Sequence, residues 1–346
     1  MVQLITDLLP NPDELFHKLL TEVSWETMYH RGGAIPRLIA EQGSASPFSP
    51  SENSNTSLPT PPPTPASFPL TASSDLPIYR HPADSLPHVR PFTPTVLQIL
   101  AAAQAHLSHP LNHVLIQHYR SGADSISPHS DKTLDVFRGS SIVNVSLGAQ
   151  RTMALRPKKE TKALSAGVVS DTSGNSGTQT PAESSGDADD EIGEGIQKYP
   201  LPHNSMFILD WSANTRYLHG IKHDNRPASV KSPAELAFSG NRISLTFRYI
   251  ATFLIPEPTA GLALPEDASD ISKMKFKIYG QGAVAKRRED AQDVPPPPSV
   301  LEGEIKEQVQ KEVGDVIRAF GEENFRGDSF DWDTWYGRGF NVIHFS

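Results

Sequence analysis

The chain has 346 residues, 37% of them hydrophobic, which is enough apolar material for a sizeable core. It contains no cysteine, so disulfides, thiolate-held zinc, iron–sulfur clusters and cysteine nucleophiles are excluded, and any metal must be held by His, Asp or Glu. With 31 basic against 40 acidic residues, the net charge of −9 gives no whole-chain attraction to nucleic acid, although much of the acid is concentrated in stretches such as GDADDEIGEGI at 186–196.

In chain order, the opening MVQLITDLLPNPDELFHKLL lacks the basic start and unbroken apolar run of a secretory signal. Asn11, Pro12, Asp13 and Glu14 offer an N-cap, a proline at the first helical position and acids in the first turn. Leu15, Phe16, Leu19, Leu20 and Val23 follow at helical spacing, which predicts a surface helix with one buried face. The proline- and serine-rich stretch 44–74 forbids helix and central strand and reads as a flexible insertion. A second helix starts at Thr93-Pro94 and runs through Val96, Leu97, Leu100 and Ala103.

Segments 112–119, 140–148 and 151–156 are rich in β-branched and apolar residues bounded by turn formers, which predicts strands, with Gly148-Ala149-Gln150 as a hairpin connection. From 158 to 197 the chain turns to Ser, Gly, Thr and acid, a second disordered insertion. Strand character returns at 205–211 and again over 242–255. Prolines 295–298 lead into a capping box, Ser299 with Glu302, and a helix with Leu301, Ile305, Val309, Val313 and Phe320 on one stripe and Gly321 as its stop. The aromatic-rich end is expected to dock on the domain, because so many exposed rings would promote aggregation. No segment is long enough to span a bilayer.

The division that follows is an N-terminal helix and lid segment over 1–43, an insertion over 44–75, the main domain over 76–256 containing the 158–197 insertion, and a C-terminal extension over 257–346 with one amphipathic helix. A monomer inside the cell, in nucleus or cytoplasm, is expected.

Two features carry chemistry. His129 and Asp131 stand two apart, so on a strand they share a face and can grip one ion together; alone, such a triplet is more often a surface pair than two ligands. In NRISLTFR (241–248), Arg242, Ser244, Thr246 and Arg248 share one strand face, and Ile243, Leu245 and Phe247 the other. That polar face either meets water or lines a pocket for a dianion, since a guanidinium pairs bidentately with a carboxylate. Two imidazoles and one carboxylate on one face of an octahedron leave open positions, as oxygen-activating Fe(II) enzymes require.

In order and local wording, HSD (129–131), YLHGI (217–221) and NRISLTFR (241–248) resemble the motifs of AlkB-type dioxygenases. The similarity extends through AIPRL (34–38), VLIQHYRSG (114–122) and SIVNVSLGAQRTMALR (141–156). The resemblance implies a mainly β protein with flanking helices, a double-stranded β-helix or jelly-roll. It implies His129, Asp131 and His219 as ligands of Fe(II), Arg242 on the distal carboxylate of the cosubstrate 2-oxoglutarate, Arg248 near its keto-acid end and a hydroxyl contact from Tyr119. Gln117 and Ser244 fall at further cosubstrate positions, where family members often carry asparagine. His223 competes with His219, but a zinc hydrolase would want glutamate where Gly220 stands.

The activity so implied is O2-dependent oxidative demethylation of N-alkylated bases in nucleic acid, with the same chemistry on a small metabolite, lipid or protein side chain as the alternative. Tyr79 and Arg37 are the candidate substrate contacts; Lys158-Lys159 and Lys286-Arg287-Arg288 could touch phosphates, although solvated charge at disordered edges is the commoner reading of both and the second could instead be a nuclear-import signal.

Overall fold

A computed structural model describes residues 2–30, 33–45, 74–83, 88–159, 195–257 and 275–345. Strand β1 (Val2–Thr6) and helix α1 (Pro12–Glu22) lead into β2 (Glu26–His30) and β3 (Gly33–Gly43). Two short strands, β4 (Leu76–Pro77) and β5 (Val89–Arg90), and helix α2 (Pro94–Gln104) come next. Then follow β6 (His113–Tyr119), β7 (Ile126–His129), β8 (Ile142–Gly148), β9 (Arg151–Pro157), β10 (Gln197–Leu201) and β11 (Ser205–Leu209). Helix α3 (Trp211–Arg216), β12 (Tyr217–Ile221), the single turn α4 (Pro233–Leu236), β13 (Arg242–Arg248), β14 (Thr252–Glu257), β15 (Lys275–Gly280) and β16 (Gln292–Asp293) precede α5 (Gly303–Phe325) and α6 (Trp332–Tyr336).

The strands form a large sheet, antiparallel in the order β1-β11-β8-β13-β6-β3-β2 with short β5 parallel beside β3, and a smaller antiparallel one in the order β10-β9-β12-β7. A third sheet, β16-β15-β14-β4, is added by the C-terminal half. One face of the large sheet is covered by α1 and α2, where Phe16, Leu19, Val96 and Ile99 pack on Val143, Val145, Ile243, Leu245 and Phe247. Its other face meets the small sheet through Tyr119, Phe207 and Leu209 against Met153, Leu155 and Ile221. This is a mainly β jelly-roll with flanking helices: two antiparallel sheets, alternating strand faces, and apolar contacts on both sides of the large one.

The N-terminal strands are part of the large sheet, β1 pairing with β11 and β3 with β6. The turn at Gly148-Ala149-Gln150 is not a hairpin. Both edges of β8 are occupied, by β11 and β13, so β9 cannot pair there and the chain crosses to the small sheet instead. Gly148 makes that corner at φ +97°, where a Cβ would lie 2.3 Å from the Asn241 carbonyl oxygen.

The stretch 242–255 likewise divides into β13 of the large sheet and β14 of the third. The capping box at Ser299 does not form; residues 298–300 make a 3-10 turn and α5 begins at Gly303. Nor does Gly321 stop that helix, because Val316, Ala319, Phe320 and Glu323 continue its buried face and outweigh a glycine cost of about 1 kcal/mol.

Of the two expected insertions, 46–73 and 160–194 lie outside the described residues. Their ends are ordered: Asp75 is buried and accepts from the Tyr279 hydroxyl and Arg288, and Lys158 is wholly buried. Among the described residues no helix is long and apolar enough to cross a membrane.

Candidate active site

Strands β7 and β12 of the small sheet pair antiparallel with His129 opposite His219, which brings their rings to 4.4 Å between centroids. Asp131 lies two residues past the end of β7, and its Oδ1 is 3.7 Å from Nε2 of each histidine. The three donor atoms lie within 4.8 Å of one another, and among the described residues this is the one such group of His and carboxylate ligands. The Nδ1–H of His129 donates to the Ser127 carbonyl at 2.8 Å, the tautomer that leaves Nε2 with a free lone pair. Burial, reinforced by His219, pushes His129 down to about 3, so both rings stand ready as neutral ligands. Burial would raise Asp131, but Arg248 and the two histidines more than offset this and hold it well below the usual carboxylate range.

Arg248 grips the other carboxylate oxygen, Asp131 Oδ2, through Nε at 3.0 Å and Nη2 at 2.8 Å. Its guanidinium lies 3.8 Å above the Tyr79 ring, and the Tyr79 hydroxyl accepts the Lys132 amide at 3.1 Å. The structure thus places Arg248 on Asp131, and Tyr79 beneath Arg248 with His81 stacked at 5.3 Å.

Every residue of β13 is buried, and of its polar face Ser244, Thr246 and Arg248 line a cavity. Arg242, fully buried, donates from Nη2 to Ser146 Oγ at 2.7 Å, Asn144 Oδ1 at 3.2 Å and Ser244 Oγ at 3.3 Å. Its Nε and Nη1 have no hydrogen-bond partner. The Tyr119 ring lies 5.1 Å from this guanidinium and its hydroxyl donates to Gln117 Oε1 at 2.9 Å. Arg37 donates to the same oxygen at 2.9 Å and to the Ser125 carbonyl at 2.9 Å.

A cavity of about 320 Å³ is walled by the His–Asp–His cluster together with Arg37, Tyr79, Gln117, Tyr119, Ser244 and Arg248, and Arg242 lies behind Tyr119 and Ser244. His223 is turned elsewhere, with Nδ1 against the Ala123 carbonyl and Nε2 near Ser125. Lys158 is buried against the Glu323 carbonyl and Arg288 is tied to Asp75, while Lys159, Lys286 and Arg287 are exposed.

Sequence reasoning missed three asparagines. Asn144 bridges Arg242, Ser244 and Thr246; its signal was a polar residue on the same strand face as Ser146. Asn214 pairs with the Asp131 backbone through both ends of its amide, and Asn324 also lines the cavity; neither has a local signal.

A family model described as the 2OG-Fe(II) oxygenase superfamily matches residues 2–248. The chain belongs to this superfamily. It is a 2-oxoglutarate-dependent oxygenase, with Fe(II), 2-oxoglutarate and O2 as cofactor and cosubstrates. The residues present fit both groups: two imidazole nitrogens and a carboxylate oxygen converge as Fe(II) requires, and the idle buried donors of Arg242 suit a carboxylate.

The chain is 26% identical over 161 residues to the Homo sapiens DNA oxidative demethylase ALKBH2, across 46% of this chain and 48% of that protein. It therefore spans about half the length of the curated relative it matches. The solved structure of OsALKBH1 is similar over 71% of this chain and 97% of that one, at 16% identity and a TM-score of 0.36.

Proposed function

We propose that the enzyme oxidatively demethylates N-alkylated bases of nucleic acid, with His129, Asp131 and His219 holding the iron and Arg242 the distal carboxylate of 2-oxoglutarate. The observation that carries this reading is the cavity of about 320 Å³, at the small end of ligand pockets: its wall holds the His–Asp–His cluster, and two further wall residues, Tyr119 and Ser244, touch the buried Arg242 guanidinium with its two idle donors. The similarity to a DNA oxidative demethylase supports the choice of substrate class.

Fe(II) with 2-oxoglutarate supplies O2 activation, one oxygen atom entering a substrate C–H bond and the other the succinate formed with CO2. The protein's part is placement. Arg248 occupies Asp131 Oδ2 and so presents Oδ1 to the metal, and the Ser127 carbonyl fixes the His129 tautomer. Tyr119 and Gln117 stand beside the Arg242 end, while Met28, Ile35 and Pro82 give the wall an apolar part that excludes water and receives an unstacked base. A methyl carbon hydroxylated on a base nitrogen is a hemiaminal, which breaks down to formaldehyde and the N–H base.

The test is incubation of the protein with Fe(II), 2-oxoglutarate, ascorbate and a panel of N-methylated single- and double-stranded oligonucleotides, reading methyl loss by mass spectrometry and succinate in parallel. Methyl loss that disappears in His129→Ala is the expected result. Succinate without methyl loss overturns the substrate class and leaves the oxygenase.

A further inference from the structure

The family match ends at residue 248, yet the C-terminal region reaches into the site. Residues 130–133, which carry Asp131, belong to no strand, so their backbone amides have no ladder partners. Four successive N–H groups are instead satisfied by four side chains from different places. Ser130 donates to Asn324 Oδ1 at 3.1 Å, Asp131 to Asn214 Oδ1 at 3.0 Å, Lys132 to the Tyr79 hydroxyl at 3.1 Å and Thr133 to Glu323 Oε1 at 3.0 Å. Two of the four acceptors, Glu323 and Asn324, stand in the last turn of α5.

Those two residues hold more than the amides. Asn324 Oδ1 also accepts from the Ser130 hydroxyl at 3.1 Å and from Lys132 Nζ at 2.5 Å. Glu323, 3% exposed, accepts from the Thr133 hydroxyl at 2.5 Å and, on its other oxygen, from the Tyr336 hydroxyl at 2.7 Å. The Trp332 indole donates to the Thr133 carbonyl at 3.3 Å. Further along, the Arg80–Asp135 pair, wholly buried, is tied to the tail through the Phe340 carbonyl at 2.7 Å. The helix cannot drift away, because Val309, Val313, Val316 and Phe320 pack it against Leu134 and α6.

We infer that Asn324 and Glu323 are positioning residues for the metal centre: the C-terminal helix α5 clamps the 130–133 segment and so fixes where the Asp131 carboxylate meets the ion. This rests on the reading of His129, Asp131 and His219 as metal ligands. Both residues act through Asp131 and neither is a ligand.

The test is Co(II) titration of the full chain, followed by visible absorption, for wild type, Asn324→Leu, Asn324→Asp and Val313→Ala, with Tm measured alongside. Asn324→Leu removes the acceptor and is expected to weaken Co(II) binding by about tenfold, the low end for groups that orient metal ligands. Asn324→Asp keeps an acceptor oxygen and restores binding. Val313→Ala loosens the packing of α5 and lowers Tm without changing affinity. Wild-type affinity in Asn324→Leu overturns the inference, as does an equal loss in Val313→Ala, which would reduce the effect to general stability. A wild-type chain that binds no Co(II) overturns the ligand assignment itself, and the clamp with it.

Discussion

Arg242 and Arg248 lie on the same face of β13, six residues apart and both fully buried, yet their surroundings are opposite. At the Arg248 end, a carboxylate meets the guanidinium through two bonds and an aromatic ring covers it. At the Arg242 end there is no carboxylate, only hydroxyls and one amide on Nη2, with Nε and Nη1 idle. Burying a cation costs several kcal/mol unless an anion meets it, so Arg248 is neutralised by the protein, whereas Arg242 has no protein anion beside it, which is what the proposed function uses it for. Burial pushes Arg242 down to about 10, which still leaves it charged at neutral pH. One strand therefore carries one guanidinium paired with a protein carboxylate and one without.

The contrast is broken or sharpened most strongly at Arg248. Arg248→Leu strands the Asp131 carboxylate, and loss of one member of a buried pair costs about 3–5 kcal/mol. Urea unfolding of the metal-free variant is expected to show that loss, and added Co(II), which gives the carboxylate a new partner, is expected to stabilise the variant more than wild type. An unchanged midpoint would mean that Arg248 is not what neutralises Asp131.

Arg242→Met should behave in the opposite way. It removes a charge with no protein anion to lose, so the metal-free variant unfolds at the wild-type midpoint or above it. Its defect appears only with cosubstrate: charge-assisted bonds of about 1.5–3 kcal/mol correspond to a roughly 10- to 150-fold rise in the KM for 2-oxoglutarate. Metal affinity stays as it was. A variant as unstable as Arg248→Leu would erase the difference between the two ends.

How much of this was legible depends on range. The alternation in 242–248 put both arginines on one face, and Pro12 and Pro94 marked where α1 and α2 start, because those signals are local. The grouping of His129, Asp131 and His219 was legible through motif wording, with strand pairing then setting His219 opposite His129. The unequal fates of the arginines were not legible, since they depend on Asp131, 117 positions away from Arg248. The same holds for the β8–β9 corner, decided by which sheet edges were free, and for Asn324 and Glu323, whose partners lie about 190 positions upstream. A polar residue in the last turn of an amphipathic helix looks the same whether it meets water or the amides of a buried loop.

Lys158 is a third buried cation and gives the smallest and finest test of the comparison. Its sequence context, at the edge of a disordered-looking stretch, suggested a solvated charge, but the ammonium is fully buried and donates to the Glu323 carbonyl at 2.5 Å. Burial outweighs the nearby Glu323 carboxylate and lowers Lys158 from 10.5 to about 7. Between those two values the unfolded chain holds a proton that the folded chain has lost, so folding becomes more favourable as pH rises through that window. Below about pH 7 both states are protonated and the cost of burying the ammonium is constant. Wild type compared with Lys158→Met by urea unfolding from pH 7 to 9.5 should therefore gain stability relative to the variant, by at most about 1.4 kcal/mol per pH unit. Parallel curves would mean that Glu323 keeps the ammonium charged. Lys158 would then join Arg248 as a cation neutralised from within, and Arg242 would be left as the one of the three reserved for a ligand.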